Sequence, residues 1–218
     1  MIPIKRVLEM SVDDAEEMLA HTIRRLYNRG LVSGVGGNAS VILPNRKEII
    51  ITPSGYFKGG VEKGDVLRVS IEGKVLQKGR PSSDLPTHLA VYRARHDVDA
   101  VVHGHPPIAV AMITSGIDIP AMTPEHSVLI KSIRVIDFAP PGAECAKAIS
   151  EVLDEETDVI GVKNHGFFAL GKDLHDAASK IEVLEETAKI YAAMRQFGRI
   201  SYLSNNEIER IRKVYEKE

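Results

Sequence analysis

Cysteine is almost missing from this chain. A single thiol, Cys145, stands in 218 residues, so no internal disulfide framework can staple the fold. Long apolar runs are missing too: none approaches the ~20 residues of a membrane-spanning helix. Net charge is small. Lys and Arg number 28 against 30 Asp and Glu, a balance of −2, so there is no global basic field to draw in nucleic acid. The N-terminus, Met1-Ile2-Pro3-Ile4-Lys5-Arg6, leads into acidic residues rather than the apolar core of a signal peptide. Internal repeats, low-complexity segments and a linker are lacking. These absences set the expectation of one domain over residues 1–218, cytoplasmic, with neither membrane nor nucleic acid as partner. What is present fits that: hydrophobic residues at 44% and charged residues at 27% suit a chain that buries a core.

The most informative stretch is Val101-Val102-His103-Gly104-His105-Pro106. Two histidines stand two apart at the end of an apolar run. A strand alternates faces with a period of two, so both imidazoles point the same way. Pro106-Pro107 stops the strand just beyond. Two imidazoles on one side of a strand end suit a nitrogen-loving metal, with zinc first and cobalt or manganese not separable from it by ligand type. The pair alone reads equally well as polar residues at a strand terminus. A third ligand decides between the two. Val159-Ile160-Gly161-Val162 is a short apolar strand that runs into Lys163-Asn164-His165-Gly166. His165 thus lies at a strand-to-turn junction beside a glycine, the same kind of place as His105.

Around these histidines the chain alternates strands and helices. Ser11 with Asp14 reads as a capping box for a helix of about four turns, ended by Gly30. Glu48–Thr52, Val66–Ile71, Ile133–Phe138 and Phe167–Leu170 read as strands, and Glu72-Gly73 turns the second of these into Lys74-Val75-Leu76. Ile108–Ile113, Ala143–Leu153 and a long stripe from Leu174 to Tyr191 read as helices. Ile117–Pro124 reads as loop, with Met122-Thr123-Pro124-Glu125-His126 as its last part. A short helix closes the tail after Ser201. His88, His96 and His175 fall in helix or helix-end positions and are taken as structural or surface residues.

Three turns share one chemistry: Gly36-Gly37-Asn38, Thr52-Pro53-Ser54-Gly55 and Pro81-Ser82-Ser83-Asp84. Each offers hydroxyl, amide or glycine N–H groups. Ser83 or Asp84 is placed to cap the helix that follows. One such turn means little. Three of them beside a metal site point to a phosphorylated substrate. None is a Walker loop, because no Gly-Lys-Ser/Thr ending follows.

In order along the chain, Gly36-Gly37-Asn38-Ala39-Ser40, Thr52-Pro53-Ser54-Gly55, Pro81-Ser82-Ser83-Asp84, His103-Gly104-His105 and Asn164-His165-Gly166 resemble the class II sugar-phosphate aldolase and adducin head family. Among its members the size and spacing look most like L-fuculose-phosphate aldolase. The resemblance runs from about Ala15 to Tyr191. It implies an α/β fold, a three-layer α/β/α arrangement around a central, mainly antiparallel sheet, and a homotetramer with active sites between subunits. It implies zinc held by His103, His105 and His165. It implies phosphate and substrate binding by Gly37, Asn38, Ser54, Gly55, Ser82 and Ser83. Asp84 matches the family carboxylate, which ligates the metal in the empty site and turns acid/base once substrate displaces it. The implied activity is reversible retro-aldol cleavage of a ketose 1-phosphate to dihydroxyacetone phosphate and an aldehyde. Aldolases of the family usually carry glutamate where Asp84 stands and the epimerase carries aspartate, so L-ribulose-5-phosphate 4-epimerase chemistry is the alternative. A non-catalytic role like that of the adducin head needs no intact histidine trio, and this chain keeps one. A C-terminal tyrosine of the family matches Tyr215 or Tyr202. A second tyrosine, from a loop, has no counterpart near Glu125-His126, and those two residues stand in its place.

Overall fold

The computed structural model describes residues 10–215. The N-terminal hexapeptide discussed above lies outside them. Seven strands form one sheet: β1 Asn38–Ile42, β2 Glu48–Ile51, β3 Leu67–Ser70, β4 Ala100–Gly104, β5 Ile133–Ile136, β6 Val159–Val162 and β7 Gly166–Gly171. Their order across the sheet is β3-β2-β1-β4-β7-β6-β5. Every neighbouring pair is antiparallel except β5 with β6. Among the described residues seven α-helices accompany it, α1 Val12–Asn28, α2 Leu85–Ala94, α3 Pro107–Thr114, α4 Pro124–Leu129, α5 Ala143–Val152, α6 Leu174–Gln196 and α7 Asn205–Tyr215, with two short 3-10 turns at Lys58–Gly60 and Lys63–Asp65.

The central strands are buried along their whole length, because helices cover both faces. That explains their near-continuous apolar runs, which a half-solvated antiparallel sheet would not show. The period of two then sorts side chains into two cores. Ala39, Val41, Ala100, Val102, Phe167 and Ala169 face one side, against α1, α3 and α6. Ile42, Val101, Phe168 and Leu170 face the other, against α2 and α5. The arrangement is therefore three layers around a mainly antiparallel sheet, as expected.

The capping box at Ser11 and Asp14 forms, and Gly30 leaves α1 with φ +69°. A bidentate pair joins α1 to α6, with Arg25 Nε and Nη2 donating to Glu182 at 2.7 and 2.5 Å. Three local readings need correction. Lys74–Leu76 makes no strand of its own; a single bridge links Val75 to Val69. The segment read as loop ends in α4, whose N-cap Thr123 accepts a bond from His126 N–H. Pro124 at its first position, with φ already set for a helix, was the missed sign. The third concerns Asp84, which sits at the N-cap position of α2 but makes no side-chain cap bond.

Candidate active site

The site assembles where β1, β4 and β7 end together. Register pairs Asn38 of β1 with His103 of β4, and His103 with Phe168 of β7. Val162 of β6 pairs with Gly166, so the β6–β7 turn carries His165 back over the same edge. Asn164 takes φ +56° in that turn, a conformation asparagine tolerates better than most residues. All three predicted histidines converge. The His103 Nε2 atom lies 2.9 Å from His105 Nε2 and 3.2 Å from His165 Nε2. Three nitrogens around a tetrahedral zinc at ~2.05 Å stand about 3.3 Å apart, so these separations fit one ion.

The ring orientations fit as well. His103 Nδ1–H donates to the Phe167 carbonyl at 3.0 Å, which leaves Nε2 bare and aimed at the other two rings. Phe168 stacks on the His103 ring, centroids 4.1 Å apart and planes 14° apart, and holds it flat. Burial lowers the proton affinity of all three: His103 well below the ordinary histidine value, His105 to about 4, and His165 in the same direction. They are thus neutral at pH 7, as metal binding would require.

Glycines make this convergence possible. A Cβ at Gly166 would lie 2.5 Å from the Gly104 carbonyl oxygen, 2.6 Å from His105 and 2.9 Å from His103. A Cβ at Gly36 would meet His105 at 2.9 Å. Gly104, between the two ligands, has no room for one against Ile181 at 2.8 Å.

Asp84 closes the cluster. Its carboxylate turns inward instead of capping α2: Oδ2 accepts from Asn38 Nδ2 at 2.7 Å and lies 3.9 Å from His103 Nε2. Oδ1 is buried and has no hydrogen-bond partner among the described residues. A cation or a proton beside it would satisfy that atom. Burial raises its proton affinity, while the Asn38 bond and the nearby His165 pull the other way.

The glycine- and serine-bearing turns lie against this cluster. Pro53 bridges to Pro81, Ser54 N–H donates to the Arg80 carbonyl at 2.8 Å, and Ser82 N–H donates to the Thr52 carbonyl at 3.2 Å. The second and third turns are therefore one surface. Thr52 ties it to the first, since its hydroxyl accepts from Ala39 N–H and its own N–H donates to the Ala39 carbonyl. Gly37 and Gly55 both hold positive φ, and no atom stands within 4 Å of where a Gly55 Cβ would go. Ser83 and Gly55 are exposed and Ser54 is half-buried, whereas Ser82 is buried with its hydroxyl accepting from Asp84 N–H at 3.3 Å. Asn38 spends its amide oxygen and one N–H inside the protein, leaving one N–H for a ligand.

Other residues are not drawn in. His126 is buried on α4 and hydrogen bonded to Thr187 of α6, while Glu125 is exposed. Tyr202 and Tyr215 stay exposed at the C-terminal end of this single chain. Sequence reasoning missed the contacts of His88. It also missed Lys58, a buried lysine whose Nζ donates to the Pro53 carbonyl beneath the second turn. The signal was weak: a lysine beside Gly59-Gly60 reads as surface.

With the geometry in hand, comparison with known proteins gives a consistent answer. The family described as Class II Aldolase and Adducin N-terminal domain matches residues 17–192, and the chain belongs to that family. L-fuculose phosphate aldolase of Methanocaldococcus jannaschii is 40% identical over 167 residues, 77% of this chain and 90% of that protein. L-ribulose-5-phosphate 4-epimerase UlaF of Salmonella choleraesuis is 37% identical over 174 residues, 74% of this chain and 76% of that protein. Among solved structures, an L-fuculose 1-phosphate aldolase superposes with a TM-score of 0.82 at 29% identity, covering 95% of this chain and 98% of the other. Within the family the protein is an enzyme, a lyase of the class II aldolase kind.

Proposed function

We propose that the protein is a zinc-dependent sugar-phosphate aldolase that reversibly cleaves a ketose 1-phosphate, such as L-fuculose 1-phosphate, to dihydroxyacetone phosphate and an aldehyde. One observation supports the reading: three imidazole nitrogens converge beside a buried carboxylate with an unpartnered oxygen. His103, His105 and His165 would hold the ion. A divalent cation there supplies Lewis-acid stabilisation of charge developing on the substrate's carbonyl oxygen.

The chain's own groups do the rest. The joined turns at Ser54-Gly55 and Ser82-Ser83, with Gly37 and the remaining Asn38 N–H, would grip the phosphate. Binding energy far from the reacting carbons then becomes orientation of the scissile bond. Asp84 would take the proton from the hydroxyl on the carbon that becomes the aldehyde as the carbon–carbon bond breaks, and pass it to the carbon of the enediolate to give dihydroxyacetone phosphate; the reverse direction runs the same transfers backwards. A carboxylate beside a bound cation is held in its ionised form, so Asp84 would act first as a base. Exposed Tyr56, Phe57, Phe197, Tyr202 and Tyr215 support assembly into a homotetramer, with Tyr202 or Tyr215 completing a neighbour's site. A cytoplasmic location is proposed on the composition.

Epimerisation of a pentulose 5-phosphate is the second reading. Aspartate at position 84 favours it, as does the relative named as an epimerase. The test is condensation of dihydroxyacetone phosphate with a panel of aldehydes, using protein stripped by chelator and then resupplied with zinc. Zinc-restored condensation supports the aldolase. Interconversion of pentulose 5-phosphates without condensation would replace it with the epimerase.

A further inference from the structure

A chain of buried polar side chains lies behind Asp84, on the sheet face that is otherwise apolar. His88 of α2 is fully buried, and its Nε2 lies 2.6 Å from Asn38 Oδ1. Its Nδ1 lies 2.6 Å from Ser40 Oγ, which lies 2.8 Å from the Tyr92 hydroxyl. Asn38 and Ser40 are two apart on β1 and share a face; His88 and Tyr92 are four apart on α2 and share a side. The spacing on both elements matches, so four polar groups line up.

Their hydrogens have one consistent arrangement around an ionised Asp84. An ionised Asp84 needs the Asn38 N–H side, which leaves Asn38 Oδ1 to accept from His88 Nε2–H and His88 Nδ1 to accept from Ser40, so in this arrangement the Tyr92 O–H donates to Ser40 Oγ. The Ser40 O–H then donates to His88 Nδ1, which is free to accept because burial keeps the ring neutral. The His88 proton is left on Nε2 and donates to Asn38 Oδ1. With its oxygen so engaged, Asn38 presents Nδ2–H to Asp84 Oδ2. An amide is nearly symmetric in shape, and nothing in its outline stops it turning over. Turned over, it would set an acceptor oxygen against the carboxylate.

We propose that His88 is a positioning residue for Asp84: its Nε2–H fixes the Asn38 amide so that the N–H side, and not the oxygen, meets the carboxylate. The proposal rests on the reading of Asp84 as the acid/base group. His88 touches no reacting atom; it acts through Asn38.

Glutamine and asparagine separate this role from mere filling of space. His88→Gln keeps an N–H at the reach of Nε2, while His88→Asn ends near the Nδ1 position and cannot reach Asn38. In zinc-supplied condensation of dihydroxyacetone phosphate with L-lactaldehyde, kcat for His88→Asn should fall 10–100-fold, the size typical of losing such a supporting partner, and KM for dihydroxyacetone phosphate should rise as well, because a turned amide also withdraws the N–H assigned to the phosphate. His88→Gln should keep at least ten times the kcat of His88→Asn, although both lose the native ring packing and melt lower. Equal kcat in the two variants, or losses that simply track melting temperature, would overturn the proposal. In an Asp84→Asn background, His88→Asn should cost nothing further. Full activity of Asp84→Asn alone would remove the Asp84 reading and this inference with it. Low activity of Asp84→Asn beside full activity of His88→Asn would remove this inference only. A readout independent of turnover is the nitrogen spectrum of histidine-labelled, metal-free protein: His88 should be the neutral Nε2–H form with a slowly exchanging proton, and an Nδ1–H form would overturn the assignment.

Discussion

Gly166→Ala is a one-methyl test of how the metal site is built. Residue 166 is not a ligand, and its backbone conformation is not one that demands glycine. Space is the constraint. The new Cβ would lie 2.5 Å from the Gly104 carbonyl oxygen, against about 3.3–3.6 Å for a close carbon–oxygen contact, and equally hard against the edges of His105 and His103. Something must give by roughly 1 Å. The carbonyl cannot move freely, because β4 and β7 are locked in register at Gly104 and Phe167. The imidazoles therefore move, or the strands part. Overpacking of this kind costs about 1–3 kcal/mol, which for a chain of this length lowers the melting point by about 2–12 °C. The larger effect falls on the ion. Three nitrogens within 3.2 Å steps tolerate little displacement, and disturbing ligand orientation costs 10–100-fold in affinity. Zinc titration against a fluorescent chelator should therefore show affinity at least tenfold weaker, in a protein still folded by circular dichroism. Wild-type affinity in Gly166→Ala would refute the crowded-ligand account.

Two further outcomes are expected. Asp84→Asn should lower kcat by about 10²–10⁴-fold, the usual scale for a positioned acid/base group, while the stripped protein melts no lower than wild type, because a buried charge is replaced by a neutral group of equal size; a kcat within fivefold of wild type would contradict the assigned role. Acid should destabilise the stripped protein before its carboxylates titrate. Burial holds His88 at about 3 and His126 at about 4, against 6.5 when exposed. Below pH 6.5 the unfolded chain binds more protons than the native one, so stability that is complete above that pH drains away as pH falls toward 4. The two residues together remove roughly 2 kcal/mol between pH 6 and 5. Urea midpoints measured across that range check it, and a flat midpoint would contradict the burial.

The sequence made the three converging histidines legible because their spacing obeys strand geometry. His103 and His105 share a face by the period of two, and His165 announces itself by ending an apolar run beside a glycine. The turns were legible as turns for a similar reason: glycine and serine cluster there between apolar segments. What local spacing does not show depends on partners far away in the chain. Read locally, Asp84 looks like a helix cap because it precedes a helix, and only the family resemblance marked it as the site carboxylate; the placement of Asn38, 46 residues earlier, turns it inward. Glu185 sits within the apolar stripe of α6 and gives no local sign that it accepts from the N–H groups of Ile108 and Ala109 at the start of α3. His88 has the same character. A histidine on a helix face carries no mark of whether its nitrogens meet solvent or a buried amide, since that is settled by a strand 50 residues away.

The charge arrangement follows from these same contacts. The three converging imidazoles are all driven toward neutrality by burial, and Asp84 is the carboxylate in contact with them. A divalent ion held by neutral ligands keeps its full charge, and one ionised carboxylate leaves a net positive centre. A second buried acid would have cancelled it. Such a centre would hold an anionic substrate and steady negative charge as it forms, while the polar chain from Tyr92 to Asn38 supports Asp84 without adding charge of its own. Neutral hydrogen bonds behind Asp84 thus suit the proposed cleavage of a sugar phosphate. A lysine or arginine in place of His88 would neutralise Asp84 and weaken it as a base.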